Sequence, residues 1–256
     1  MMLRIITCFK WVIDQADIKT APGSRELVLD QAAYRISDYD RFAIEEAVIL
    51  QEKYGGSTAA ITIGTPEARK SLKDVLSRGL EKAYFINDPS FDNLEPSQTA
   101  SILATAIRSQ LDYDLIICGE GSGDLYAQQV GPRLAEALDI PCATCVSKIT
   151  IDGDQIIVER KLDDGIEVAA MPLPAVVTLL PDINSPRIPG LKDTLAASKK
   201  PIVDITGADL GQHFEPCLQT VSILASSMKR NGVKFSSDPS DISKFVDAIL
   251  KTGLIG

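Results

Sequence analysis

The sequence predicts an α/β protein with an open, mainly parallel sheet, helices on both faces, added antiparallel strands and a C-terminal arm. Three observations predict this fold class. Short apolar runs alternate with helical patterns from residue 3 to about residue 145, which is typical of parallel βαβ units. Two Asp-Gly pairs between later β-rich runs indicate hairpin turns. Beyond residue 200 the chain becomes more polar and the alternation stops.

Strand–helix pairs account for the first part of the chain. Apolar runs predict strands at residues 3–9, 57–64, 81–88 and 114–119. Helical patterns follow at residues 41–54, 66–79, 97–111 and 127–139. Gly55 and Gly56 are expected to end the first helix, Thr65 to cap the second and Ser97 to cap the third. A sheet built from such units is covered by helices on both faces.

The next part of the chain reads as antiparallel strands. Turns at Asp152-Gly153 and Asp164-Gly165 divide residues 148–180 into β-rich runs that extend the sheet. A proline-rich loop at residues 181–190 then ends the regular structure.

The chain divides into two parts on this pattern. We assign an α/β domain to residues 1–200 and an arm to residues 201–256, which we expect to pack on a partner subunit. Within the arm, a helix is predicted at residues 240–253.

The composition argues against several classes of function. Lys and Arg total 26 against 35 Asp and Glu, a net charge of −9, whereas a nucleic-acid-binding protein needs clustered positive charge. A single histidine argues against Ser-His-Asp catalysis and multi-histidine metal sites. No run of about 18 apolar residues is present, so we expect no transmembrane segment.

The cysteines indicate a reducing compartment. There are five, mostly within apolar runs, which is typical of buried thiols in a cytoplasmic protein, and the N-terminus lacks a secretory signal pattern. Cys142 and Cys145 form a C-x-x-C pair within a strand-like run. We interpret them as packing residues rather than as a metal or redox site, and we expect no metal.

A glycine-rich turn follows the fourth predicted strand. Its sequence, Gly119-Glu120-Gly121-Ser122-Gly123-Asp124, leads into a helix. Glycines let backbone N–H groups approach an anion, and a helix N-terminus adds a partial positive charge, so this turn is a candidate phosphate cradle. No Gly-Lys-Ser/Thr follows, so it is not a P-loop. On geometry alone, tight packing explains such glycines equally well.

Other strand ends should lie at the same edge, because ligands of open α/β sheets bind outside the carboxyl ends of the strands. Cys8-Phe9-Lys10 follows the first strand and Ile63-Gly64 ends the second. The segment from Ser37 to Asp40 opens the helix between them. Together these residues are placed to frame an adenosine, although Ser37 and Asp40 are equally typical of helix capping.

Positive charge is concentrated late in the domain. Arg187, Lys192, Lys199 and Lys200 stand out on an otherwise acidic chain. They indicate either a docking patch for an acidic partner or an ordinary surface loop with a basic helix.

Several segments together resemble one family. They are IITCFKWV at residues 5–12, SDYDRFAIEEAV at 37–48, CGEGSGDLYAQQVGP at 118–132 and the region from VERK to KKPI at 158–202. Over about residues 2–205 the chain resembles the electron transfer flavoprotein beta subunit. It is most similar to the Fix-type branch, which carries CGEGSGDLYAQQVG where other members have GKQAIDDD or GRQAIDGD.

The resemblance implies an adenine-nucleotide alpha-hydrolase-like fold, a heterodimer with an alpha subunit, and a nucleotide in this subunit. Conventional members hold a structural AMP, and electron-bifurcating members hold a second FAD. We favour FAD because Gln129-Val130-Gly131 matches the bifurcating pattern. The nucleotide-binding residues implied are Cys8, Phe9, Lys10, Ser37, Asp38, Tyr39, Asp40, Ile63, Gly64, Gly119, Glu120, Gly121, Ser122, Gly123, Asp124, Leu125, Tyr126, Ala127, Gln128, Gln129, Val130 and Gly131.

Two of these residues depart from the family pattern, since Ser37 replaces a common Asn and Tyr126 replaces an acidic residue. The resemblance further implies that Leu191, with Arg187 and Lys192, docks an acyl-CoA-type or other flavin dehydrogenase or a quinone oxidoreductase. With NADH as donor, electrons would pass to that partner and to ferredoxin or flavodoxin.

The rival interpretations are a conventional carrier with AMP and an adenine-nucleotide sensor without flavin. An ATP-hydrolysing enzyme is disfavoured, because Cys8-Phe9-Lys10 stands where that class has a Ser-Gly-Gly-x-Asp loop. We identify no catalytic side chain.

Overall fold

A computed structural model describes residues 2–227 and 232–253. The chain forms two compact units. The larger comprises Met1–Lys19 and Val28–Ser222, and the smaller comprises Thr20–Leu27 and Ile223–Gly256.

The strands follow the apolar runs of the sequence. They are β1 Leu3–Cys8, β2 Trp11–Ile13, β3 Lys19–Thr20, β4 Leu27–Val28, β5 Tyr34–Ile36, β6 Gly56–Gly64, β7 Lys82–Asn87, β8 Leu115–Gly119, β9 Cys142–Asp152, β10 Gln155–Leu162, β11 Gly165–Pro172, β12 Ala175–Leu179 and β13 Ile202–Thr206. The helices are α1 Asp38–Tyr54, α2 Ser71–Ser77, α3 Pro96–Gln110, α4 Val130–Leu138, α5 Leu191–Ala197 and α6 Pro239–Lys251.

The larger unit is built on a nine-stranded sheet, which confirms the predicted fold class. Its strand order is β11-β10-β9-β12-β8-β1-β6-β7-β13. Neighbours from β9 to β13 in this order are parallel, and β10 and β11 extend the sheet as antiparallel hairpins. The carboxyl ends of β8, β1 and β6 therefore lie side by side at one end of the sheet, which we call the rim.

Helices cover both faces of this sheet. Ala43 of α1 and Leu72 of α2 lie in the core on one face, and Ile102 of α3 and Leu134 of α4 lie in the core on the other. The central strands are buried on both faces, which explains why they read as continuous apolar runs rather than as alternating patterns.

Helix starts differ from the prediction at several places. Helix α1 begins at Asp38 rather than at residue 41. A 3-10 helix, Pro66–Lys70, precedes α2, which begins at Ser71, and the side chain of Thr65 makes no capping hydrogen bond. The cap of α3 is Glu95, not Ser97: its carboxylate accepts hydrogen bonds from the amides of Ser97 at 2.9 Å and Gln98 at 3.2 Å, and Gln98 completes a capping box. Helix α4 begins at Val130, three residues later than predicted. The residues in between continue the glycine-rich turn.

The predicted arm also begins later than expected. β13 pairs in parallel with β7, so Ile202–Thr206 belongs to the sheet, and the larger unit extends to Ser222. The predicted C-terminal helix is confirmed as α6 in the smaller unit, where Ile242, Phe245, Val246 and Leu250 are exposed. Residues 228–231 and 254–256 of the predicted arm lie outside the described residues.

Two further sequence predictions concern single elements. Cys142 and Cys145 lie on β9, as the strand-like context predicted, and burial raises the pKa of the Cys142 thiol to about 11. Among the helices that the structure describes, none combines the length and apolar character needed to span a bilayer.

Candidate functional site

The rim brings together residues that are far apart in the sequence. Lys10 follows β1, Gly64 ends β6 and Gly119 ends β8, and these three strands are neighbours. The buried hydroxyl of Thr62 donates a hydrogen bond to the carbonyl oxygen of Phe9 at 2.7 Å, which fixes the β1 end against β6.

The first turn of α1 is bonded directly to the strand ends. The amide of Ser37 donates to the carbonyl of Lys10 at 3.0 Å. The Ser37 hydroxyl accepts from the amide of Gly123 at 3.2 Å, and the Asp40 carboxylate accepts from the amide of Lys10 at 2.8 Å. Ser37 therefore holds the glycine-rich turn rather than capping its own helix.

Asp40 is the buried acid of the rim. Its side chain is 5% exposed, and an added Cβ on Gly119 would lie 2.6 Å from its Oδ1. Burial raises the pKa of Asp40 to about 7, against the lowering effects of the Lys10 and Gly119 amides and the Lys10 ammonium. Glycine at position 119 allows this close approach.

An ion pair ties the glycine-rich turn to β1. The ammonium of Lys10 lies 2.5 Å from Oδ2 of Asp124. Burial opposes ionisation of Asp124, but Lys10 and the Ser122 hydroxyl outweigh it, so the pKa of Asp124 lies below its usual value.

Tyr126 occupies the centre of the turn. Its backbone is in the left-handed region at φ 46°, and its ring lies over Gly121, where a Cβ would come within 2.6 Å of Cδ2. The ring centroid is 5.0 Å from that of Tyr39. A hydrogen bond to Glu120 is the main cause that raises the pKa of Tyr126 to about 12.

The N-terminus of α4 presents free backbone donors. Gln129 makes no side-chain cap, and the first turn contains no acidic residue. In the described part of the chain, the amides of Ala127, Gln128 and Gln129 have no hydrogen-bond acceptor. Because a helix N-terminus carries partial positive charge, this row of donors fits a phosphate group.

Gly131 allows α4 to approach the sheet. A Cβ at this position would overlap Cγ2 of Thr178 on β12. The close contact places the first turn of α4 over the ends of β8 and β12. Glycine at 131 is thus required by packing, whereas a Cβ at Gly123 would meet nothing closer than 3.7 Å.

Some predicted nucleotide-binding residues have other contacts. The side chains of Cys8 and Phe9 are only 7% and 6% exposed and belong to the core. Asp38 forms ion pairs with Arg35 and Arg41. A role in binding a nucleotide stays a prediction for these three residues.

Two contributors were not predicted from the sequence. Gln15 donates its side-chain amide to the carbonyl of Gly123, and Thr178 sets the distance between α4 and β12. Gln15 lies in a short 3-10 helix within a polar segment, so its residue type and spacing gave no indication of this contact. Thr178 could have been found as the polar residue within an otherwise apolar strand.

The proline-rich loop is anchored to α1. Arg187 donates to Glu45 at 2.9 Å and to Glu52 at 2.9 Å, and Glu45 is buried. The hydrogen bonds that Arg187 donates to these carboxylates raise its pKa above its usual value. Asn184 donates to the carbonyl of Phe42 at 3.0 Å. Arg187 is thus bound within the chain, and its predicted partner contact stays a prediction.

The tip of this loop and the start of α5 expose apolar side chains. Ile188 is 93% exposed, Leu191 79% and Leu195 61%, and Lys192 is exposed beside them. Lys200, expected to contribute to a basic patch, instead donates to the carbonyls of Leu76 and Leu80, so it caps the end of α2.

Comparison with protein-family models identifies the family to which this fold belongs. A family model described as the electron transfer flavoprotein domain matches residues 26–210, more than two thirds of the chain. The matched span contains the α1 first turn, the glycine-rich turn, α4 and the loop that carries Leu191.

Proposed function

The chain belongs to the electron transfer flavoprotein family as a beta-type subunit, and we propose that its rim binds FAD within a heterodimer with an alpha subunit. In this proposal the complex is cytoplasmic and carries electrons from NADH to a flavin dehydrogenase or quinone oxidoreductase and to ferredoxin or flavodoxin, by electron bifurcation. The family supports electron transfer and association with a flavin or nucleotide.

The free amides before α4 carry the assignment of the nucleotide to the rim. The amides of Ala127, Gln128 and Gln129 have no acceptor within the described chain, and the helix that follows them has no acidic residue in its first turn. Amides at such helix ends are satisfied by a capping side chain, by water or by a ligand, and a row of them is a common binding site for an anion. The residues present therefore fit the phosphates of a dinucleotide.

The chain's own residues act by binding and positioning. Ser37 and Asp40 hold the turn and the β1 end, and Gly131 brings the α4 amides over the sheet. FAD, when bound, supplies one- and two-electron redox chemistry, which no side chain of the rim provides.

FAD is preferred to AMP because Gln129-Val130-Gly131 matches the bifurcating pattern. Partner docking is assigned to Leu191 with Lys192, because the exposed apolar tip is held on an anchored loop. Because the loop that carries Leu191 is already held in place, little conformational entropy is lost when this apolar side chain enters a pocket of a dehydrogenase.

Cofactor content of the purified heterodimer tests the proposal. After acid denaturation, chromatography is expected to yield two FAD per heterodimer, and NADH is expected to bleach the flavin absorbance near 450 nm. One FAD plus one AMP would contradict bifurcation and support the conventional carrier. A preparation without any nucleotide in this subunit would contradict the site itself.

A further inference from the structure

Asp40 is a buried carboxylate without a counter-ion of its own. Its side chain is 5% exposed and accepts a hydrogen bond from the Lys10 amide, and the Gly119 amide faces it from β8. No ion pair to Asp40 is present among the residues that the structure describes. A buried carboxylate that is held mainly by backbone amides is sensitive to any new charge placed beside it.

The groups facing Asp40 come from each element packed around it. Lys10 extends from the end of β1, Asp124 from the glycine-rich turn and Cys118 from β8. The Lys10 ammonium lies 2.5 Å from Asp124, so its charge is shared with that carboxylate. Burial raises the pKa of Asp40 to about 7, which places its titration near neutral pH.

We propose that Asp40 is a positioning residue that takes up a proton when a nucleotide's phosphates bind at the rim, an inference that rests on the proposed nucleotide site. Two contacts bring the amides before α4 towards Asp40. The ring centroids of Tyr39 and Tyr126, the sequence neighbours of Asp40 and Ala127, are 5.0 Å apart, and a Cβ on Gly131 would lie 3.9 Å from Cβ of Cys118, the residue before Gly119. Phosphates on these amides therefore add negative charge on the side of the rim where Asp40 lies. Like charges favour the neutral form of the carboxyl. By reciprocity, the protonated protein binds the nucleotide more tightly. One oxygen of neutral Asp40 still accepts from the Lys10 amide, so the β1 end stays held.

Calorimetry on the nucleotide-depleted heterodimer tests this link. FAD and AMP are titrated between pH 6.5 and 8.5 (~2 pH units spanning the titration) in two buffers of different ionisation enthalpy, which reports proton uptake directly. We expect Kd to rise by up to about tenfold per pH unit above neutral pH, the limit for one linked proton.

Two variants identify the group. Asp40→Asn is expected to abolish proton uptake and flatten the pH dependence. Asp112→Asn makes the same chemical change on a carboxylate that is 87% exposed, next to the N-terminal end of β8, and is expected to leave uptake unchanged.

Each outcome of these titrations either supports or overturns the proposed proton uptake by Asp40. Nucleotide binding without pH dependence in the wild type would overturn the proton link and leave the site intact. Uptake that persists in Asp40→Asn would assign the proton elsewhere and also overturn it. Failure of both nucleotides to bind at every pH would overturn the proposed site as well. If Asp40→Asn does not fold, Asp124→Asn decides: uptake that disappears in this variant assigns the proton to Asp124 and overturns the proposal, and uptake that persists supports Asp40.

Discussion

The rim and the proline-rich loop use polar groups in opposite ways. At the rim, Ser37, Asp40 and Asp124 are bonded to backbone or to Lys10, and the backbone amides before α4 remain free. In the proline-rich loop, ion pairs with Glu45 and Glu52 hold Arg187, and the apolar side chains beside it stay exposed. In our proposal, the first arrangement serves an anionic small molecule and the second serves a protein surface.

The largest effect is expected from Gly131→Ala. The new methyl group overlaps Thr178, so α4 must shift from β12, at a cost of about 1–3 kcal/mol by overpacking, with loss of nucleotide from the rim. Thermal unfolding and nucleotide content measure this.

A second substitution sharpens this test. Thr178→Ser removes the overlapping methyl and should restore part of the stability to Gly131→Ala, as expected for contacting residues. For the stability measurement, Gly123→Ala is the matched control, because that position has room for a Cβ. Equal losses in the two single glycine variants would contradict the packing role of Gly131.

Arg187→Gln tests whether the ion pairs to α1 hold the proline-rich loop in place. It leaves the buried Glu45 without its cation, and we expect a loss of about 1–2 kcal/mol, less than for a fully buried pair because Arg187 is 37% exposed. Chemical denaturation at neutral pH measures it, with the exposed Lys192→Gln as control. Equal stability of both variants would show that the pair does not anchor the loop.

Tyr126→Phe should have a smaller effect. It removes the hydrogen bond to Glu120 at a partly exposed position, which is worth about 0.5–1 kcal/mol. The ring remains over Gly121, so nucleotide content should not change. A large loss of nucleotide would show that the hydroxyl contacts the ligand instead.

Leu191→Ala should have the smallest effect on stability, within about 0.5 kcal/mol, because the side chain is 79% exposed. We expect slower electron transfer to the dehydrogenase at unchanged cofactor content, as measured by stopped-flow kinetics. Val168→Ala, 66% exposed on the edge strand β11, is the control. Normal transfer by Leu191→Ala would contradict the docking role.

The sheet was predictable where side-chain patterns are strong. The apolar runs of β1, β6, β7 and β8 and the Asp-Gly turns of the hairpins identified most of its strands. β13 was missed because Ile202–Thr206 is short, partly polar and at the sheet edge. Its place depends on pairing with β7, which residue type alone does not indicate.

The site was predictable in location but less so in detail. The glycine-rich turn was identified, yet the start of α4 was placed too early because Tyr126 and Gln128 adopt positive φ, which these residue types rarely do. Likewise, Ser37 and Asp40 looked like helix caps, whereas the structure uses them to hold distant backbone. Ser37 and Gly123 are 86 residues apart and Asp40 and Lys10 are 30 residues apart, so these contacts follow only from the tertiary fold.

An experimental structure of the nucleotide-loaded heterodimer tests the central claim most directly. We expect phosphate oxygens within hydrogen-bond distance, about 3 Å, of the amides of Ala127, Gln128 and Gln129. Phosphates bound elsewhere on the subunit, with these amides still facing solvent, would contradict the account.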